Sequence, residues 1–140
     1  MQRILALDVG EKRIGIAVSD ALGITAQGLE TYARTGDTAK DAAYIRKLAQ
    51  GYAPVRLLFG MPRNMDGSYG FQAERVKEFA AAVLEDWPGE HAFYDERLTT
   101  VSAERVLIEA EMPWQKRRKV VDKLAAVVIL QGYLASGPKL

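Results

Sequence analysis

Near the amino terminus, Ile4, Leu5, Ala6, Leu7 and Val9 form an apolar run interrupted only by Asp8. A continuous run of this kind reads as a strand buried on both faces, because a half-exposed strand would alternate apolar and polar residues. It is expected to be the central strand of a sheet covered on both sides. Side chains alternate along a strand, so Asp8 shares a face with Ile4 and Ala6 and lies over the middle of the sheet. An ionised carboxylate withdrawn from water costs several kcal/mol unless it meets a cation, hydrogen bonds or a proton. A chain that keeps an acid there needs a reason for it.

The residues that follow extend the sheet. After the turn-like Gly10-Glu11-Lys12, the segment from Arg13 to Ser19 carries Ile14, Ile16 and Val18 in alternation, and a weaker run spans Ile24 to Tyr32 after a break at Gly23. Three strands joined by short turns form an antiparallel meander. The apolar period then changes. Asp37 to Gln50 has helical spacing and ends near Gly51, and Val55 to Phe59 reads as a buried strand. Glu74 to Trp87 is a second helix and His91 to Tyr94 a short strand. A third helix runs from a cap at Thr99 or Thr100 to about Glu111, and a last one from Gln115 to about Ala135. Strand–helix–strand units require right-handed crossovers and parallel pairing. The expected fold is therefore α/β: a mixed five-stranded sheet, three strands antiparallel and two parallel, with helices on both faces. With 140 residues and neither an internal repeat nor a linker, a single domain over residues 1–140 is expected.

Composition removes much chemistry. The absence of cysteine excludes disulfides, thiolate metal sites and thiol nucleophiles, and the single histidine, His91, excludes zinc sites built on two or three imidazoles. His91 sits in a strand with Phe93 and no Gly-x-Ser-x-Gly elbow accompanies it, so it reads as structural. Trp87 and Trp114 flank helix ends beside prolines and read as core anchors. Gly10 and Gly15 have P-loop spacing, but Ile16-Ala17 stand where Lys and Ser or Thr are required. The longest apolar run, Leu124 to Leu130, falls short of the ~20 residues a membrane-spanning helix needs, and the chain reads as soluble and cytoplasmic, with no membrane partner. The formal net charge is +1, so any nucleic-acid binding must come from a local patch.

Two further acids stand in comparable places. Ala125, Ala126 and Ile129 follow Asp122 at i+3, i+4 and i+7, which puts Asp122 at the leading end of an apolar helix face. Glu96 comes just after the His91–Tyr94 strand, at the carboxyl end where parallel sheets gather ligands. An ion pair with Arg13 or Arg97 is a structural alternative for any one of these acids. If the last helix packs across the first strand, Asp8, Glu96 and Asp122 converge, and three carboxylates without nitrogen or sulfur ligands suit Mg²⁺ or Mn²⁺. Such ions serve phosphodiester hydrolysis, and a pair ~4 Å apart activates the attacking water and stabilises the leaving oxygen. Positive charge for a polyanion lies close by in sequence, at Lys12, Arg13, Arg63, Arg97 and the Lys116-Arg117-Arg118-Lys119 run. The loop from Gly60 to Ser68 follows a strand and offers Asn64 and Ser68 as phosphate or sugar contacts.

Four blocks, Leu5–Asp20, Phe59–Ser68, Tyr94–Thr100 and Lys119–Leu134, closely resemble the signature blocks of the YqgF family, also called RuvX. The first block alone also resembles the phosphate-binding turn of actin-like ATPases, which need two large lobes. The resemblance implies a ribonuclease H-like fold and a metal-dependent nuclease with catalytic and metal-binding acids at Asp8, Glu96 and Asp122. It further implies a nucleic-acid partner. Processing of the 5′ end of precursor small-subunit ribosomal RNA is favoured, cutting of four-way DNA junctions is the alternative, and a non-catalytic RNA-binding module is the rival from another class. Arg63 stands where many members carry an aliphatic residue. For a fourth carboxylate, Asp95 and Glu104 are the candidates, although alternation points Asp95 away from Glu96. Monomer and homodimer both stay open, and symmetric junction cleavage requires a dimer.

Overall fold

The computed structural model describes residues 2–62, 70–95 and 114–135, with side chains not described at Phe71 and from Trp114 to Asp122. The elements are β1 (Arg3–Val9), β2 (Arg13–Ser19), β3 (Ala26–Ala33), α1 (Thr38–Gln50), β4 (Val55–Met61), α2 (Phe71–Leu84), β5 (Glu90–Asp95) and α3 (Trp114–Ala135). The helix expected from Thr99 or Thr100 to Glu111 lies outside the described residues. The strands form one sheet in the order β3-β2-β1-β4-β5, so β1 is central as its apolar run predicts. β1 pairs antiparallel with β2 and parallel with β4; β2–β3 is antiparallel and β4–β5 parallel.

The period-two pattern of β1 and β2 sorts their side chains onto two faces. Leu5, Leu7, Val9, Ile14, Ile16 and Val18 pack with Ala42 and Ile45 of α1 and with Val76, Phe79 and Val83 of α2. Ile4, Ala6, Ala17 and Leu58 pack on the other face with Ala126, Ile129, Leu130 and Tyr133 of α3. Ala6, Ala17 and Gly28 are small residues of the sheet on the α3 face, and they allow close approach of the helix. A Cβ added at Gly28 of β3 would stand 2.8 Å from Lys123 Cγ. Burying large aliphatic residues at about 1.5–3 kcal/mol each is what holds both helical layers to the sheet.

The start of β3 and both ends of α2 differ from the sequence expectation by two or three residues, and β4 runs two residues past Phe59, to Met61. β3 begins at Ala26, because the Asp20 carboxylate accepts from the amides of Ile24 (2.7 Å) and Thr25 (3.2 Å) and folds them into the turn. Ile24 is left 70% exposed. These two amides also hold the Asp20 carboxyl below the ordinary carboxylate range. α2 begins at Phe71, after a Gly70 cap that makes no side-chain hydrogen bond. It ends at Leu84, and Trp87 lies beyond it, with its indole donating to the Glu90 carbonyl at 3.1 Å. α1 matches closely: Asp37 caps it by accepting from the amides of Ala39 and Lys40.

Candidate active site around Asp8

Asp8 lies one residue from the carboxyl end of β1, half-buried, directly across from Gly15 of β2. Paired residues in an antiparallel ladder project from the same face, so Asp8 belongs to the α3 face with Ala6, as alternation predicts. Gly15 brings no side chain to the neighbouring position, and Arg13, two residues earlier on β2, shares that face. Lys12 is exposed in the β1–β2 turn. A carboxylate and two cations therefore meet at one end of the sheet.

The direction of α3 places its amino-terminal end there as well. Lys123 lies against Gly28, which pairs with Ala17, which pairs in turn with Ala6. Leu134 lies against Gly23 in the β2–β3 turn, 3.9 Å from the position of a Cβ there. That turn follows Ser19, whose hydroxyl accepts from the Ile4 amide at 2.8 Å, at the amino end of β1. α3 thus runs from the Asp8 end of β1 toward the opposite end, and its backbone at Asp122 precedes Lys123 on the Asp8 side. Ala125, Ala126 and Ile129, the residues that single out Asp122 in the sequence, are fully buried.

Glu96 and Arg97 lie outside the described residues, immediately beyond the last described residue of β5. Arg63, Asn64 and Ser68 lie outside them too, one residue and more past the carboxyl end of β4 and Pro62. Lys116, Arg117 and Asp122 are on α3, with side chains outside the description. Among the described residues no group of three His, Asp or Glu side chains can hold a metal ion; of the three expected ligands only the Asp8 side chain is among them. The donor set fits a hard divalent cation, because the residues expected around Asp8 offer carboxylate oxygen and no nitrogen or sulfur. His91 is exposed on the edge strand β5, edge-on to Phe93 at 5.8 Å, away from Asp8.

Sequence reasoning missed a cluster beneath the β1–β2 turn. Asp41 on α1 is fully buried, and its carboxylate accepts from Tyr32 Oη (2.8 Å), Arg34 Nε (3.1 Å), the Thr35 amide (3.1 Å) and Thr35 Oγ1 (2.9 Å). Burial alone would raise the carboxyl, yet these four donors together hold it below its ordinary value. Burial and the bond to Asp41 push the Tyr32 hydroxyl up. Arg34 also donates through Nη1 to the Gly10 carbonyl at 3.1 Å, and its own amide bonds the Lys12 carbonyl at 2.8 Å. The signal was present: Ile45, Leu48 and Ala49 follow Asp41 at i+4, i+7 and i+8, the same rule that selects Asp122.

Residues 2–136 match the model of a family described as RuvX, Holliday junction resolvase. This chain belongs to the RuvX family. A RuvX relative from Halalkalibacterium halodurans, named "Putative pre-16S rRNA nuclease", is 52% identical over 133 residues, covering 94% of this chain and 95% of the relative. One from Desulforamulus reducens with the same name is 51% identical and covers 98% and 99%. Another, from Clostridium botulinum, is 48% identical and covers 96% and 97%. Among solved structures, Thermus thermophilus RuvC in complex with a Holliday junction substrate superposes with a TM-score of 0.62 at 15% identity, over 99% of this chain and 98% of that one. RuvC alone gives 0.53 at 16%. This likeness shows the fold, the ribonuclease H-like one, as the resemblance to the family implies. Membership in RuvX makes the chain a nuclease, a hydrolase of phosphodiester bonds. No helix among the described residues is long and apolar enough to cross a membrane.

Proposed function

We propose that this chain, as one nuclease domain over residues 1–140, processes the 5′ end of precursor 16S ribosomal RNA in the cytoplasm. The observation that carries this reading is the name shared by relatives 48–52% identical over nearly the full chain. Asp8, Glu96 and Asp122 hold Mg²⁺ or Mn²⁺. The placement of Asp8 at the carboxyl end of the central strand, with the α3 backbone descending from that end, supports this assignment. A divalent ion held there supplies activation of the attacking water and neutralisation of charge at phosphorus. Lys12 and Arg13, together with Arg63, Arg97, Lys116 and Arg117, hold the phosphate backbone, and Asn64 and Ser68 contact phosphate or sugar.

A second reading, cleavage of four-way DNA, is favoured by the description of the family model and by the likeness to junction-bound RuvC. It requires a symmetric homodimer, whereas cutting one RNA end requires only a monomer. The test is cleavage, with Mn²⁺, of a labelled precursor ribosomal RNA end, an unstructured RNA and a four-way DNA junction. Preference for the precursor end supports the proposal, and preference for the junction replaces it with the second reading. Equal RNA binding by wild type and Asp122→Asn without cleavage would make the chain a non-catalytic RNA-binding module.

A further inference from the structure

The turn that follows Asp8 is held from the opposite face of the sheet. Its own closure is one hydrogen bond, from the Gly10 amide to the Arg13 carbonyl at 2.8 Å. The turn is tight enough that a Cβ at Gly10 would stand 2.7 Å from that carbonyl oxygen. Outside support comes from Arg34, just past the end of β3. Its amide holds the Lys12 carbonyl, and its guanidinium holds the Gly10 carbonyl. The guanidinium in turn is fixed on two sides, by Asp41 at 3.1 Å and by the Phe79 ring of α2, 4.8 Å from ring centroid to Cζ. With 11% of the Arg34 side chain and none of Asp41 exposed, the pair is shielded from water. Tyr32 completes the brace, stacking on Tyr44 at 4.3 Å while it donates to Asp41.

A buried ion pair is weak evidence of a stability role, because desolvation offsets much of its attraction. This one has a direction. A planar fork with a counter-ion on one edge and a backbone carbonyl on another transmits the rigidity of α1 and α2 to residues 10–12. We propose that Arg34, locked by Asp41, is a positioning residue for the reaction centre, fixing the turn that aims the Asp8 carboxylate and presents Lys12 and Arg13. This rests on the reading of Asp8 as a catalytic residue. Arg34 acts from the α1/α2 face and touches neither phosphate nor metal. Displacement of a reacting group by about 1 Å can cost roughly a hundredfold in rate, so a turn released from Arg34 slows the reaction as well as loosening the fold.

The test compares Arg34→Met, which keeps an unbranched side chain beside Phe79 but removes the guanidinium and all its donors, with Arg34→Lys, Asp8→Asn and Tyr44→Phe. Tyr44→Phe keeps the ring that stacks on Tyr32 and removes only the hydroxyl's 2.7 Å hydrogen bond to Glu30, which does not reach the turn. Three quantities are read well below each melting temperature: kcat, the half-saturating Mn²⁺ concentration, and hydrogen exchange at the Gly10 amide in metal-free protein. Arg34→Met is expected to lower kcat at least about tenfold, raise the half-saturating Mn²⁺ concentration severalfold and speed Gly10 exchange. Tyr44→Phe stays within twofold of wild type in all three. Arg34→Lys, a cation without the fork, falls between, and it carries the test if Arg34→Met does not fold. A folded Arg34 variant with a lower melting temperature but wild-type kcat, Mn²⁺ dependence and Gly10 exchange overturns the proposal, provided Asp8→Asn is inactive. An Asp8→Asn protein as active as wild type overturns the site itself and the proposal with it.

Discussion

Replacing Asp41 with alanine removes the anion that accepts all four hydrogen bonds of the cluster and leaves the Arg34 guanidinium without a counter-charge. Breaking a buried ion pair by deleting one partner costs about 3–5 kcal/mol. The lower end applies here, because Arg34 is 11% exposed and can turn partly toward water. Unfolding entropy of about 2.1 cal/mol/K per residue, over 140 residues, converts about 3 kcal/mol into a melting temperature lower by roughly 10 °C. Arg34→Met costs less, about 1.5–2 kcal/mol, since Asp41 keeps Tyr32 and both Thr35 donors. The double variant is then more stable than the sum of the single losses implies, with a coupling of about 1–2 kcal/mol. Urea denaturation of the four proteins, with equal m-values as the check on two-state behaviour, measures this cycle. A loss below about 1 kcal/mol for Asp41→Ala, or additivity within about 0.3 kcal/mol, would refute the view that the cluster is a coupled unit.

Further outcomes follow from the same geometry. The Asp41 carboxyl titrates below its unfolded value near 3.9, so its stabilisation is fully present above that pH and is lost as pH falls through the folded value. The stability difference between wild type and Asp41→Asn, followed by denaturation from pH 6 down, should therefore shrink below about pH 4; a difference that grows on acidification contradicts the sign. Asp8→Asn should raise the melting temperature in EDTA, because like charges crowd an empty site, and should lose part of any Mg²⁺-induced stabilisation. A lower melting temperature in EDTA would instead make Asp8 a structural ion-pair partner. Gly10→Ala should lower activity at least about tenfold, because the atom its Cβ meets is backbone and the turn must shift; unchanged kcat would show that the turn has slack.

The fold was legible where period and burial coincide. The unbroken apolar run at Ile4–Val9 and the alternation from Arg13 to Ser19 locate the centre of the sheet, since a slip of one residue would turn Asp8 and Ile14 to the wrong faces. Asp8 stood out because a charge in such a run contradicts its surroundings. Boundaries set by contacts that sequence spacing does not encode were misplaced: Asp20 folds back on Ile24 and Thr25, and α2 starts at a Gly70 cap with no side-chain bond. Arg34 was invisible because its role joins a carbonyl 24 residues earlier to an acid on the next helix. Asp41 meets the same periodicity rule as Asp122, with Ile45, Leu48 and Ala49 following it at helical spacing.

The most direct measurement is single-turnover cleavage of a labelled precursor 16S RNA end by wild type and Asp8→Asn, each with Mn²⁺ and with EDTA. A group that organises several kcal/mol of charge stabilisation in the transition state is worth about a thousandfold in rate. Wild type should cut only with Mn²⁺, and Asp8→Asn should be slower by about that factor while still binding the RNA. Cleavage by wild type in EDTA, or an Asp8→Asn rate within about tenfold of wild type, would contradict a metal-dependent carboxylate centre at the end of β1.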